Sequence, residues 1–441
     1  MPAQRVSQTP SLPIVIVGGG AGGLELACKL GRRLGPQRVT LVDRQLFHVW
    51  KPSLHEVAAG TLDIHQEGLS YEMLAHDNGF AFCYGALTGV DTAQRRLTVA
   101  AVPDGHGDEL IPERSLAYGE LVLALGSTAN HFNVPGAAEH TVALNQPADA
   151  ERFRLRLLRL LTMAERRKID GGEGRVQVVI IGGGATGVEL AAELREAGQV
   201  LTRYGFQHLD ARHDLRLTLL EGADRILAPL PEKVSASATA LLRERGVEVV
   251  TQCRVARIGP SAVEDSAGRV FPADVVVWAA GIQAPPLLAA LGLPVARGGQ
   301  VEVDGTLAVK GVPHLHALGD NAACAQADGR PVPPRAQAAH QQASYLAGRL
   351  LRLARGQAPR ARPFVYRDHG SLVSLGTRSS VGNLMGNLFG ANWFVQGLLA
   401  RLMYTSLHLM HHQAVLGTLR TAVLAFARFL VKRATPLVKL H

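Results

Sequence analysis

The stretch RVQVVIIGGGATGVELAAEL, residues 175–194, passes from a β-branched apolar run through three glycines into a run of helix formers. An unbroken Val/Ile run suits a strand buried on both faces, and the Ala, Glu and Leu that follow suit a helix. Gly182, Gly184 and Gly187 stand in the frame G-x-G-x-x-G, with Ala191 as a small packing residue on the helix. Such a loop leaves the N–H groups at a helix N-terminus free to approach a pyrophosphate, because no side chain intervenes. The frame occurs a second time, earlier in the chain, in LPIVIVGGGAGGLELACKL (12–30), with Gly18, Gly20, Gly23 and Ala27.

Each loop is followed by a second strand that ends in an acid: Asp43 closes RVTLVD and Glu221 closes LRLTLLE. A lone glycine frame is a weak sign, but strand, helix and terminal acid together make a specific one. The acids accept hydrogen bonds from a ribose. At Glu221 this favours the free 2′-hydroxyl of NADH over the phosphate of NADPH, with Arg225 nearby counting slightly against it. Two cradles imply two dinucleotides, most economically FAD in the first and NADH in the second, since a flavin accepts a hydride and passes electrons on.

Three further stretches follow in the order such a pairing needs. LVLALGS (121–127) is a return strand ending near Gly126, and VVVWAAG (275–281), ending at Gly281, is its counterpart in the second half. HLHALGDNAA (314–323) sets Gly319 and Asp320 after a strand, where they can meet the ribityl chain and phosphates of a flavin. The expected fold is α/β: two Rossmann-like dinucleotide-binding domains, the FAD domain split by an inserted NADH domain, plus a C-terminal amphipathic helical region that anchors to a membrane. The expected boundaries are 1–145 and 286–385 for the two parts of the FAD domain, 146–285 for the NADH domain, and 386–441 for the C-terminal region.

Composition narrows the classes. The chain has 441 residues, room for two or three domains, and is 47% hydrophobic. Cys28, Cys83, Cys253 and Cys324 form no CxxC pair, so neither a zinc ribbon nor a local redox disulfide is expected, and no metal site is assigned. The N-terminal apolar run is too short for a signal peptide, and no stretch reaches the roughly 18 apolar residues of a spanning helix. The net charge is +9, and residues 369–441 contain no Asp or Glu.

RAQAAHQQASYL (335–346) follows PVPP and reads as a helix with Gln337 and Gln341 one above the other among alanines. Taken alone, the pair reads most simply as part of a solvated face. In company, the motifs GGGAGG, FHVWKPSLHEVAAG, GGGATGVELAAEL, WAAGI, LGDNAA, RAQAAHQ and DHGSLVSLG resemble, in that order, the type II NADH:quinone oxidoreductases among the two-dinucleotide flavoproteins. The resemblance implies hydride transfer from NADH to FAD and reduction of a membrane quinone, ubiquinone or menaquinone, without proton pumping. It implies a quinone site at the pattern A-Q-x-A-x-Q, met by Ala336, Gln337, Ala339 and Gln341. It sets Pro52, Leu54 and Glu56 against the isoalloxazine and Glu189 near the nicotinamide, with His369 a weaker candidate near the quinone. His48 and His55 read as structural. Relatives suggest a homodimer. Sulfide:quinone oxidoreductase is an alternative, but it needs paired cysteines where Cys324 stands alone; a flavin-bearing NADH sensor acting through a protein partner is another.

The tail carries Arg378, Arg401, Arg420, Arg428, Lys432, Arg433 and Lys439. Leu419, Val423, Phe426 and Leu430 recur at helical spacing, with Arg428 and Lys432 opposite them, while Trp393 and Tyr404 are of types that settle among lipid headgroups. This is the pattern of a basic amphipathic helix lying on an anionic lipid surface. At about 1 kcal/mol for each basic residue near such a surface, the charges alone would supply several kcal/mol. Aromatic and leucine residues are mixed into the basic stretch, which disfavours nucleic acid. The location expected is peripheral, on the cytoplasmic face of the inner (plasma) membrane.

Overall fold

The computed structural model describes residues 12–104, 108–375, 380–385, 392–396, 398–434 and 438. The chain opens with β1 (Ile14–Val17), α1 (Ala21–Leu34) and β2 (Val39–Asp43), then α2 (Leu54–Ala59), β3 (Ala81–Tyr84) and β4 (Glu120–Leu123). All four residues of β1 are buried, as a strand covered on both faces requires. β1 lies between β2 and β4, parallel to both.

A second unit then repeats the plan with β5 (Thr141–Ala143), α3 (Pro147–Ile169), β6 (Val176–Ile181), α4 (Ala185–Tyr204), β7 (Leu215–Leu220), β8 (Val247–Val250) and β9 (Val275–Trp278). Its parallel sheet runs β5-β9-β6-β7-β8, so the glycine-bearing strand again sits between the acid-bearing strand and the return strand. The edge strand β5 precedes residue 146, so the second sheet draws on residues from just before the inserted segment read from the sequence. The chain then returns to the first sheet: β10 (Leu315–Ala317) pairs with β4 and completes the order β10-β4-β1-β2-β3. Between the two units, Thr128–Ala129 pairs antiparallel with Ile282–Gln283, forming a short neck.

Helix α5 (Ala336–Ala354) packs along α1. The approach is close because α1 presents Gly22, where a Cβ would stand 2.5 Å from Leu318 Cδ1 and 3.1 Å from the Ala339 carbonyl oxygen. Beyond it come the antiparallel strands β11 (Ser371–Ser374), β12 (Ser380–Met385) and β13 (Asn392–Gln396), then α6 (Leu398–Leu416) and α7 (Thr418–Ala434). Helix α6 packs on α1 and on the β11–β13 sheet.

There are two main cores. One joins the first sheet to α1 and α5; the other joins the second sheet to α3 and α4 and also takes in Leu54, Val57 and Ala58 of α2. Each large apolar side chain fully buried there contributes roughly 1.5–3 kcal/mol. Helix α2 thus belongs by sequence to the first unit and by packing to the second.

Candidate functional site

The two glycine loops are superimposable in their chemistry. Gly18 and Gly182 hold φ of +104° and +112°, a region that favours glycine. A Cβ on Gly23 would strike the Gly18 carbonyl oxygen, and one on Gly187 would strike that of Gly182. Gly20 and Gly184 cap their helices, and a Cβ on either would meet nothing within 4 Å, so the open side of each loop faces outward. The acids reach back identically. Asp43 Oδ2 accepts from the Gly19 N–H at 2.5 Å and Glu221 Oε2 from the Gly183 N–H at 2.6 Å. Burial raises the Asp43 carboxyl above its ordinary value, against the hydrogen bonds from Gly19 and Gln45. Arg225, which by sequence counted against an unphosphorylated ribose, is turned away: its guanidinium donates to the carbonyls of Leu230 and Ala228.

The crossing beside the first cradle is held by Asn321, which lies within HLHALGDNAA but to which the sequence assigns no role. Fully buried, it accepts from the Gly126 N–H at 3.1 Å and donates to the Leu123 carbonyl at 3.1 Å. Next to it Asp320 accepts from Ser127 Oγ at 2.7 Å, and the Gly319 N–H donates to the buried Gln342 side chain at 2.6 Å. Lys51, beside the exposed Pro52, donates to the Ser127 carbonyl at 2.8 Å. Gly319, Asp320 and Gly126 therefore form one wall, to which Lys51 is tied through Ser127. Gly281 stands apart from it at the neck, with φ of +82° and the Phe132 ring where a Cβ would go.

Helix α5 starts at Ala336 after Arg335, as the PVPP-to-helix reading expects. Gln337 and Gln341 share a face, but their amides are already engaged. Gln341 donates to the Arg367 carbonyl at 2.8 Å and accepts from the Arg367 N–H at 2.9 Å. Gln337 donates to the Gly370 carbonyl at 3.1 Å and accepts from the His369 N–H at 3.3 Å. His369 thus enters through its backbone while its own residue stays exposed. The same segment ends at Glu189, whose Oε1 accepts from the Ser374 N–H at 3.0 Å.

Residues 367–374 therefore tie the glutamines of one unit to the glutamate of the other. Glu189 is buried, and desolvation, opposed by His55 at 3.6 Å, pushes its carboxyl up to about 7. Glu193, one turn on, is buried as well and accepts from Thr61 Oγ1 at 2.5 Å. Periodicity could have found Glu193, since it shares the inward face of α4 with Glu189.

Known proteins resemble this chain in sequence and in fold. Residues 12–343 match the pyridine nucleotide-disulphide oxidoreductase family. A type II NADH:quinone oxidoreductase of Haemophilus influenzae is 38% identical, over 97% of this chain and 99% of its own. The chain belongs to the type II NADH:quinone oxidoreductases. The enzyme of that class from Mycobacterium tuberculosis is 29% identical over 90% of this chain and 84% of its own. The NDH2 structure from Plasmodium falciparum in complex with NADH shares the fold at a TM-score of 0.80 and 18% identity, covering 97% of this chain and all of that one.

A type II NADH:quinone oxidoreductase uses FAD and NADH, and the residues present suit both. The first cradle, with Asp43 and the Gly126–Asp320 wall, has the donors and the open glycine face that FAD needs. The second, with Glu221 on the glycine loop and Arg225 engaged by its own turn, suits NADH. The sulfur chemistry of the sulfide-oxidising alternative finds no pair: all four cysteines are free, and Cys324 is buried with its thiol raised by desolvation.

The tail departs from its sequence reading in one respect. Leu419, Val423, Phe426 and Leu430 are 79%, 60%, 64% and 51% exposed, so α7 turns its apolar stripe outward. Two of the basic residues expected to meet lipid instead face the protein. Arg420 pairs with Asp77, and Arg428 meets Glu67 at 3.1 Å and His408 at 3.2 Å. These carboxylates lie in other elements, beyond the reach of a helical-period argument. The side chains of Trp393, Arg401, Tyr404, Lys432 and Arg433, with residues Arg378 and Lys439, lie outside the described residues. No helix among the described residues is long and apolar enough to cross a membrane.

Proposed function

We propose that this chain oxidises NADH bound at Glu221 and reduces a membrane quinone beside Gln337 and Gln341, working from the membrane surface. FAD, when bound, supplies a two-electron acceptor that links the two substrates. The overall reaction, NADH plus a proton plus quinone giving NAD⁺ and quinol, takes up one proton. Glu189, with its carboxyl near neutrality, is the buried group suited to hold that proton.

The observation that carries the reading is residues 367–374, which meet Gln341, Gln337 and Glu189 in turn. A quinone head displacing the Arg367 or Gly370 carbonyl would find an amide N–H already oriented. The peripheral attachment rests on α7, whose exposed apolar side chains would otherwise face water. The cytoplasmic face, the domain limits and a homodimer belong to the same proposal.

The test is anaerobic stopped-flow absorbance of the flavin, with one equivalent of NADH followed by a short-chain ubiquinone. Fast bleaching and fast recovery are expected. Bleaching without recovery, in a long-lived reduced complex, would favour an NADH sensor instead. In Gln341→Leu, bleaching by NADH should keep its rate while recovery slows by at least about tenfold, the scale of one lost hydrogen bond to a reacting group. Equal loss in both half-reactions would remove the quinone assignment from this helix.

A further inference from the structure

The two cradles differ in what holds the middle glycine. In the second, the Gly183 carbonyl accepts from the Leu227 backbone N–H at 2.7 Å, an anchor local to the nicotinamide unit. In the first, the equivalent Gly19 carbonyl accepts from two side chains, Tyr71 Oη at 2.7 Å and His48 Nδ1 at 2.9 Å. Behind His48 a buried chain continues. His48 Nε2 faces His411 Nε2 at 3.0 Å, and His411 Nδ1 meets Glu25 Oε1 at 2.8 Å. The other oxygen, Glu25 Oε2, meets His340 Nδ1 on α5 at 2.5 Å. Glu25 is 1% exposed and His411 2%, and Trp50 covers His411 with ring centroids 4.5 Å apart.

The proton positions follow from the partners. Gly19 O can only accept, so His48 Nδ1 carries hydrogen. Burial and the neighbouring His411 bring His48 down to about 3, so the ring is neutral and its Nε2 is an acceptor. His411 Nε2 must therefore donate to it. Burial alone would raise Glu25, but the hydrogen bonds from His340 and His411 bring it down to about 2, so Glu25 is an acceptor too. Both nitrogens of His411 face acceptors, Glu25 on one side and His48 on the other. From His411 the chain runs through His48 to Gly19 O, with the Glu25 carboxylate behind His411.

That carbonyl belongs to the Gly19–Gly20 peptide, which is trans, so the Gly20 N–H points to the opposite side, the open side of the loop. We propose that Glu25, His411 and His48 hold this peptide with its N–H toward the FAD pyrophosphate, making the C-terminal helix α6 an FAD-retention element. FAD binding would then depend on a residue nearly 400 positions downstream (His411 is 386 residues from its partner Glu25), whereas NADH binding, anchored at Leu227, would not. His48 and His411 act here as positioning residues.

The inference rests on FAD occupying the first cradle, which the flavin spectrum of the unaltered protein as isolated tests separately. The experiment measures FAD dissociation from full-length holoenzyme, by the fluorescence of released flavin, in His48→Leu, His48→Asn and His411→Leu. Binding of NAD⁺ by calorimetry and thermal unfolding are read alongside. His48→Asn keeps a donor at the Nδ1 position. Expected are about tenfold faster FAD loss in both leucine variants, the scale of one hydrogen bond to a phosphate-binding peptide, with NAD⁺ affinity unchanged and His48→Asn close to the unaltered protein. If His411→Leu fails to fold, the two His48 variants decide. FAD loss unchanged in His48→Leu, or equally fast in His48→Asn and His48→Leu, would overturn the proposal.

Discussion

At the scale of single residues, Glu189 and Glu25 show how burial and partners set opposite pH behaviour. Glu189 has a carboxyl raised from 4.5 to about 7, so the folded protein binds that proton more tightly than the unfolded chain. Stability therefore falls as pH rises from about 4.5 through about 7, as the group is forced to ionise while buried. Glu25, lowered to about 2, contributes stability above about pH 4.5 that is lost as pH falls toward 2. Glu189→Gln should flatten the decline of the melting temperature between about pH 5 and 7; an unchanged slope would show that the proton resides elsewhere. At Glu221, with Arg225 bound to its own turn, Glu221→Ser should raise the ratio of NADPH to NADH turnover at least about tenfold, measured as kcat/KM for each. Residues of this kind were legible where a motif carries them. Asp43, Glu221 and the glycines follow from strand–loop–helix spacing. The roles of Asn321, Gln342 and His411 do not, because the groups they meet (the Gly126 and Gly319 N–H, and the His48 and Glu25 side chains) are brought close only by the folded sheet and the C-terminal helices.

At the scale of elements, α7 is the departure. Its period was readable, and the stripe Leu419, Val423, Phe426 and Leu430 is where the spacing puts it. What the period could not say is which face meets the protein. Here the polar face docks, through Arg420 and Arg428, and the apolar face is left outward, the reverse of an ordinary surface helix. Fewer basic residues are therefore free to meet anionic lipid, and apolar insertion should carry more of the binding. Val423→Asp with Phe426→Asp should weaken partitioning onto lipid vesicles at least about tenfold, since each large side chain withdrawn from a membrane boundary forfeits up to roughly 1.5–3 kcal/mol. High salt should weaken it less. Co-sedimentation with vesicles at two ionic strengths reads both, and salt release outweighing the double substitution would return the binding to charge. Helix α5 was likewise legible as a helix with two glutamines on one face; that residues 367–370 already occupy their amides was not, since those residues form an irregular segment with no period to show where it packs.

For the whole molecule, the plan of two dinucleotide units with the second set inside the first follows from repeated strand–glycine–helix stretches and their return strands. The less visible part is α2, whose Leu54, Val57 and Ala58 sit in the core of the other unit, because a short helix has no period long enough to show what it will pack against. Leu54→Ala should cost about 2–5 kcal/mol and lower the unfolding temperature of the nicotinamide unit along with the flavin unit, by calorimetry. The neck has a wider consequence. The chain enters the inserted unit through Thr128–Ala129 and leaves it through Ile282–Gln283, and these residues are hydrogen-bonded partners. Entry and exit are therefore one strand spacing apart, about 5 Å. The span between them is a cassette with one point of entry and exit, and a relative's cassette with different nucleotide preference could be grafted there, provided it offers a matching hollow for Leu54 and Val57 and a partner for residues 373–375. Exchange of whole modules at such a point is how one quinone-reducing platform can come to serve different electron donors.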